Sequence, residues 1–302
     1  MGSKWSDADI PDLSGSVVVI TGANSGLGLE SAKALSAHGA QVIMAARNAS
    51  KLSEAAASVP GSPRTLELDL ADLASVRRAA QELSDSVQRI DVLMNNAGVM
   101  APPLQRTADG FESQIGVNHL GHYALTGLLL PLLRQPGARV VTVSSFVHTI
   151  GSVDLADLNY ERRSYSPWPA YGQSKLANLL FTAELDRRAG ESGLISAAAH
   201  PGYASTNLQT NGPRMAQNPV GRVMTKATNT VLAQSARAGA WPQLYAATAA
   251  DVRGNDFYGP DGFREMRGHP KRCDRSDAAK DAATARGLWE LSEQLTGVVY
   301  DW

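Results

Sequence analysis

Val17-Val18-Val19-Ile20-Thr21-Gly22-Ala23-Asn24-Ser25-Gly26-Leu27-Gly28 carries the fold of this 302-residue chain. The first five residues are all β-branched, which suits a strand buried on both faces in a parallel sheet. From Leu27 to Ala37 the pattern turns to helical period. The glycines between strand and helix let the backbone turn tightly and come within contact distance of a pyrophosphate. The helix that follows offers unpaired N–H groups and the positive end of its dipole. Gly22, Asn24, Ser25, Gly26, Leu27 and Gly28 are therefore candidate ligands of a dinucleotide. Their spacing is Gly-x-x-x-Gly-x-Gly rather than Gly-x-Gly-x-x-Gly.

The same alternation continues along the chain. Strands are expected near Val17–Thr21, Gln41–Ala45, Thr65–Leu68, Val92–Asn95, Arg139–Ser144 and Leu194–Ala199, with a seventh around Asp256–Tyr258. Helices are expected over Leu27–Ala37, Leu73–Val87, Thr107–Leu133, Ala170–Arg188, Asn229–Ala247 and Ala278–Leu295. Such βαβ alternation predicts an α/β fold, a doubly wound parallel sheet of Rossmann type with helices on both faces. One domain over 15–302 after a tail at 1–14 is the expected organisation. Long loops at about 146–169 and 201–228 are expected to build the substrate crevice, as loops beyond strand ends do in open α/β sheets.

The second strand runs into Arg47-Asn48 with no acidic residue to hold a ribose 2′-hydroxyl. A guanidinium pairs well with a 2′-phosphate, so Arg47 predicts NADP in preference to NAD. Asp69 and Leu70, after the third strand, could bond an adenine edge, although a helix cap explains the aspartate equally well. Asn95-Asn96-Ala97-Gly98 ends the fourth strand, and the small residues Ala97 and Gly98 beside Asn96 would let backbone approach the adenosine.

Ser145 lies at a strand end, and Tyr171-Gly172-Gln173-Ser174-Lys175 opens an Ala/Leu-rich helix. Residues four apart share a helix face, so the Lys175 ammonium is expected beside the Tyr171 phenol, favouring the phenolate. Lowering a phenol from a pKa of about 10 to about 7 takes roughly 4 kcal/mol, and a cation at ~4 Å in an intermediate dielectric supplies about that.

Taken in order, the glycine-rich turn, Asn95–Gly98, Asn118, Ser145, Tyr171 and Lys175 resemble the short-chain dehydrogenase/reductase family over about residues 14–206. Ala45-Ala46-Arg47-Asn48, Asn118-His119-Leu120-Gly121-His122 and Ser174-Lys175-Leu176-Ala177-Asn178 are similar to its retinol-dehydrogenase-like and protochlorophyllide-reductase-like branch. The resemblance implies a tetrad. Tyr171 would be the acid/base, and Ser145 would hydrogen-bond the same substrate oxygen. Lys175 would depress the Tyr171 pKa and hold the nicotinamide ribose, and Asn118 would position a relay water. Pro201-Gly202 and Thr206 match the segment that the family sets at the nicotinamide. The 26 positions between Ser145 and Tyr171 exceed the family's commoner separation, which puts the pocket roof in question. Adjacent Ser144 is the competing hydroxyl.

A net charge of −1 leaves no excess of Lys and Arg for a nucleic-acid partner. The expected partner is a small-molecule carbonyl or alcohol, fairly lipophilic, with no metal. Phe146, Trp168, Tyr203 and Leu208 are candidate pocket residues. The one cysteine, Cys273, fits a reducing compartment, and the expected location is the cytoplasm. The most apolar stretch, Leu125–Leu133, is too short to span a bilayer. It reads either as core or as the face of a homo-oligomer, dimer or tetramer. The N-terminal Gly2 formally fits a myristoylation pattern but reads as an ordinary terminus. Two other functions fit parts of the pattern: a dinucleotide-sensing regulator without chemistry, and a C=C reductase. The regulator has no use for the Ser145, Tyr171, Lys175 and Asn118 set.

Overall fold

In a computed structural model that describes residues 4–203 and 234–302, β1 (Val17–Thr21) is buried along its whole length as the third strand of an eight-stranded sheet. The strands are β2 (Gln41–Ala46), β3 (Arg64–Glu67), β4 (Val92–Asn95), β5 (Arg139–Val143), β6 (Ile195–Ala199), β7 (Phe257–Pro260) and β8 (Pro270–Arg272). Their order is β3-β2-β1-β4-β5-β6-β7-β8, parallel except for β8 against β7. The chain winds from β1 out to β3 and then crosses back to β4. The sheet therefore reverses between β1 and β4, where Val18 pairs with Val42 on one side and Val92 on the other. Ligands of doubly wound sheets bind in the crevice at this reversal.

Pleating divides the core. Val17 and Val19 face the layer that holds Tyr123, Phe181 and Trp289, whereas Val18 and Ile20 face the layer that holds Leu35 and Leu244. The helices on the two faces are α1 (Gly26–Ala37), α2 (Ala49–Ala56), α3 (Leu73–Ser86), α4 (Ser113–Ile115), α5 (Gly121–Leu128), α6 (Leu130–Leu133), α7 (Pro167–Ala189), α8 (Ala236–Thr248) and α9 (Ala282–Thr296).

Several sequence expectations change. α2 was not anticipated; Asn48 caps it by accepting the Lys51 N–H at 2.9 Å. The long helix expected from Thr107 begins only at Ser113, and a π turn over Gly116–Leu120 interrupts it. A side chain on Gly116 would meet Thr107 Cγ2 at 2.5 Å, and one on Gly121 would meet Leu70 O at 2.5 Å. This segment is pressed between two loops, and widening one turn lets it fit both. Third, the expected 146–169 loop holds a 3-10 turn, Phe146–Ile150, and α7 starts three residues early at Pro167, where proline suits a helix's first turn. The basic residues after Gly259 are partly committed to ion pairs. Arg272 pairs with Asp256 at 2.7 Å and Lys271 with Glu265 at 3.1 Å, tying down the β8 hairpin. Leu125, Leu129, Leu130 and Leu133 are buried in the chain's own core, the first of the two readings of that apolar stretch. The helix expected from Asn229 begins at Ala236 among the described residues.

Candidate active site

The glycine turn lies directly on the end of β4. Gly22 has φ +67°, and a side chain there would meet Ala97 Cα at 2.9 Å; one on Gly28 would meet Gly22 O at 2.5 Å and Asn96 Nδ2 at 2.6 Å. Only hydrogen atoms fit. Asn96 Nδ2 donates to Thr21 O at 2.7 Å, so this side chain ties β1 to β4. Gly22, Asn24, Ser25, Gly26, Leu27, Gly28, Arg47, Asn48, Asp69, Leu70, Asn96, Ala97 and Gly98 all line one cleft of about 1290 Å³. That exceeds the range of about 300–1,000 Å³ usual for small-molecule sites and suits an extended dinucleotide. The bare glycine cradle and this volume fit such a cofactor.

Some of these side chains have local work. Asn48 caps α2, and Asp69 Oδ1 accepts the Ala71 N–H at 2.9 Å. Ser25 stands at the α1 N-cap without a capping bond, so its hydroxyl is not committed to the helix. Lys51, which sequence reading missed, lines the same cleft as Arg47 one turn into α2. Neither cation enters an ion pair among the described residues. The Asn48 cap before Lys51 was the available signal.

Beyond Gly98 the wall changes character. A side chain on Gly98 would lie 3.1 Å from Asn118 Oδ1 and 3.5 Å from Lys175 Nζ, so both groups close around its backbone. Lys175 comes from α7 and donates to Val143 O at 3.0 Å, a carbonyl that Asn178 Nδ2 also reaches at 3.0 Å. Tyr171, one turn earlier, has its phenol beside the Ser145 hydroxyl, near enough for that group to lower its pKa. The two meet because glycines face each other where the Phe146–Ile150 turn crosses α7: a side chain on Gly151 would meet Gly172 O at 2.3 Å. Ser144 points elsewhere, its hydroxyl donating to Lys175 O at 2.7 Å. Of the two serines, Ser145 is the one on the tyrosine. The Ser145, Tyr171, Lys175 and Asn118 set therefore converges, drawn from β5, α7 and the π turn.

The expected phenolate does not form in the free chain. Burial pushes the Tyr171 phenol up to about 12, against a lowering by Ser145, and burial pushes the Lys175 ammonium down to about 8. The Lys175 Nζ stands 5.7 Å from the centre of the Tyr171 ring, too far for one cation to offset full desolvation. Keeping this lysine is costly. Its folded pKa lies below the unfolded value of 10.5, so the charged form burdens the folded state below pH 8, and the burden fades as pH rises toward 10.5. Lys175→Met is expected to stabilise the free protein at pH 7 by up to about 3 kcal/mol, since Asn178 still satisfies Val143 O. Urea melts at pH 7 and pH 10 check this; an equal gain at both would contradict the burial cost.

Gly202 has φ +63° and packs against the Phe263–Met266 segment; a side chain there would meet Met266 O at 2.5 Å. Pro201 O accepts from Gln234 Nε2 at 2.8 Å. Thr206 and Leu208 lie outside the described residues, as does most of the 201–228 loop. Cys273 belongs to a hydrogen-bond hub. Glu265 accepts from His200 at 3.1 Å and from Lys271, while the Cys273 thiol donates to Lys271 O at 3.7 Å; the His200 contact leads in holding this carboxyl down near 2, and burial pushes the thiol up to about 12.

Sheet reversal, glycine cradle and cleft together define a dinucleotide-binding fold, and the family of the chain makes it an NAD(P)-dependent oxidoreductase. Residues 16–217 match the model of the short chain dehydrogenase family, and the chain belongs to that family, on its retinol-dehydrogenase-like branch. Human retinol dehydrogenase 13 is 39% identical over 310 residues, covering 98% of this chain and 88% of that protein. Mouse polyprenol dehydrogenase is 39% identical over 303 residues, covering 95% and 86%. Among solved structures, an uncharacterised protein from Mycobacterium Paratuberculosis superposes with a TM-score of 0.84 at 49% identity, covering 99% of this chain and 100% of that one. These relationships support alcohol/carbonyl interconversion on small molecules. No helix among the described residues is long and apolar enough to cross a membrane.

Proposed function

We propose that the protein is an NADP-dependent oxidoreductase that interconverts a lipophilic alcohol and its aldehyde or ketone, with Tyr171 as general acid/base. The placement of the Tyr171 phenol beside the Ser145 hydroxyl, with Lys175 on the same helix face, carries this reading. It aims two hydroxyls at one point, where a substrate oxygen accepts from both. A bound nicotinamide supplies or takes the hydride. The protein's part is the proton and the orientation. In the reduction direction Tyr171 gives its proton to the substrate oxygen while Ser145 holds that oxygen. Lys175, as a buried cation on the same helix face, favours the phenolate left behind and stands where ribose hydroxyls would meet it beside Gly98.

Asn118 orders this corner through its side chain. Its Oδ1 accepts the Val99 N–H at 2.8 Å, and its Nδ2 donates to Val99 O at 3.0 Å and Ser174 Oγ at 2.8 Å. With those groups committed, a relay water has the Asn118 main-chain carbonyl to bond. For the cofactor, the support is that Arg47 and Lys51 line the cleft and that the end of β2 itself carries no Asp or Glu, the lining's carboxylates being Glu54 on α2 and Asp69 after β3. For the substrate, it is the pair Phe146 and Trp168, each 48% exposed, which follow Ser145 and precede Tyr171 in the chain, with the Trp168 ring edge-on to Tyr171 at 6.1 Å. The relatives include dehydrogenases named for retinol and for polyprenol.

The test is NADPH consumption with a panel of retinoid, polyprenyl, steroid and short-chain carbonyls. Turnover of long apolar aldehydes or ketones well above short ones is expected. Tight NADPH binding with no turnover of any carbonyl would favour a dinucleotide sensor, and consumption only with conjugated C=C substrates a double-bond reductase.

A further inference from the structure

Between the glycine turn and the Asn118 corner stands a fully buried side chain that the reaction above does not use. His122, on α5, lies with Nε2 2.8 Å from Thr21 Oγ1 and Nδ1 3.1 Å from Asn118 O. Its tautomer follows from its partners. A carbonyl only accepts, so Nδ1 carries the proton and Nε2 is a bare acceptor. Thr21 must then donate its single hydroxyl proton to Nε2, the shorter of its two outlets, the other being Met94 O at 3.3 Å. The two remaining lone pairs of Thr21 Oγ1 accept the N–H groups of Asn96 and Ala97, each at 3.0 Å. Every position on that oxygen is filled. A protonated imidazole would break the set, and burial pushes His122 down to about 4, consistent with a neutral ring.

The chain of bonds extends outward. Gln243 Nε2, on α8, donates to Asn96 Oδ1 at 3.1 Å and to Ser31 Oγ on α1 at 2.8 Å. At the other end, Asn118 O accepts the His122 Nδ1–H, which anchors that carbonyl to the buried ring. That carbonyl is the acceptor left to a relay water once the Asn118 side chain is committed.

We propose that His122 is a positioning residue that couples the dinucleotide turn to the proton relay: its neutral Nδ1–H tautomer holds Thr21 and the Asn96-Ala97 backbone with one nitrogen and orients the Asn118 carbonyl with the other. This rests on the acid/base reading of Tyr171 for its second half and on the cofactor cradle alone for its first.

Two near-isosteric substitutions separate the halves. His122→Asn keeps a donor near Nδ1 and loses Thr21; His122→Gln keeps an acceptor near Nε2 and loses Asn118. His122→Asn is expected to bind NADPH about tenfold more weakly by calorimetry with kcat within about twofold of wild type, the loss of one buried hydrogen bond. His122→Gln is expected to bind NADPH within about twofold but to lose about tenfold in kcat, with a larger solvent deuterium isotope effect on kcat. Equal losses in both variants on both measurements would overturn the coupling. Independently, ¹⁵N-histidine NMR of the wild-type protein at pH 7 is expected to find the His122 proton on Nδ1; a proton on Nε2, or on both nitrogens, would overturn it whether or not the variants fold. If wild type turns over no carbonyl, the acid/base reading fails, while NADPH binding and the tautomer still decide the role of His122.

Discussion

Tyr171→Phe is expected to lower kcat about 10³-fold, within the range of about 10²–10⁴ that a positioned general acid contributes. The change removes one oxygen and little else. The ring keeps its edge contact with Trp168, and Ser145 Oγ keeps the Val147 N–H at 3.2 Å, so neither a cavity nor an orphaned hydroxyl results. NADPH affinity should fall by no more than about tenfold, since at most one hydrogen bond, worth about 0.5–1.5 kcal/mol, is lost with the phenol oxygen. The pH dependence makes the expectation sharper. A phenol pushed up to about 12 is protonated throughout the physiological range. Carbonyl reduction, which needs the acid, should be nearly flat from pH 6 to 8. Alcohol oxidation needs the base and should climb with pH across the same interval. Stopped-flow single turnovers in both directions test this, and a Tyr171→Phe enzyme retaining more than about a tenth of wild-type kcat would assign the proton to another group.

The second large effect concerns the cofactor. The Arg47→Ala/Lys51→Ala double variant is expected to weaken NADPH binding by about 100-fold or more, since each charge-assisted hydrogen bond to a phosphate is worth about 1.5–3 kcal/mol. NADH binding should change by less than about twofold, because neither residue has a non-phosphate partner to serve. Arg47 and Lys51 sit at the end of β2 and in the first turn of α2, and the Asn48 cap that starts the helix fixes their relative placement. Either single variant should fall between wild type and the double variant. The α2 fold should survive, because the cap uses the Lys51 backbone rather than its side chain. Fluorescence titrations with both dinucleotides decide it: equal losses for NADPH and NADH would remove the 2′-phosphate from the explanation.

The doubly wound sheet was legible at residues 17–28, since an unbroken β-branched run, a glycine turn and a helix fit together in few ways. The candidate cleft was equally legible, because glycines and a missing acid are properties of residue type. Other features were not. α2 is short and mostly polar, with only Asn48 to announce it. The π turn depends on Gly116 meeting Thr107 and Gly121 meeting Leu70, contacts between segments that no local pattern reports. The antiparallel β8 is three residues with a proline, below any periodic signal.

Composition and spacing by themselves determined which groups this protein owns: a glycine cradle, a cation after the second strand, and a tyrosine one helical turn from a lysine. Tertiary structure alone decided what those groups are worth. It turned Ser145 rather than Ser144 onto the tyrosine through the Gly151–Gly172 contact, and it buried Tyr171 and Lys175 deeply enough to reverse the expected phenol shift. The reason is that proximity along a helix is fixed by its pitch, while the charge a side chain carries depends on how much water and which dipoles the rest of the fold leaves around it.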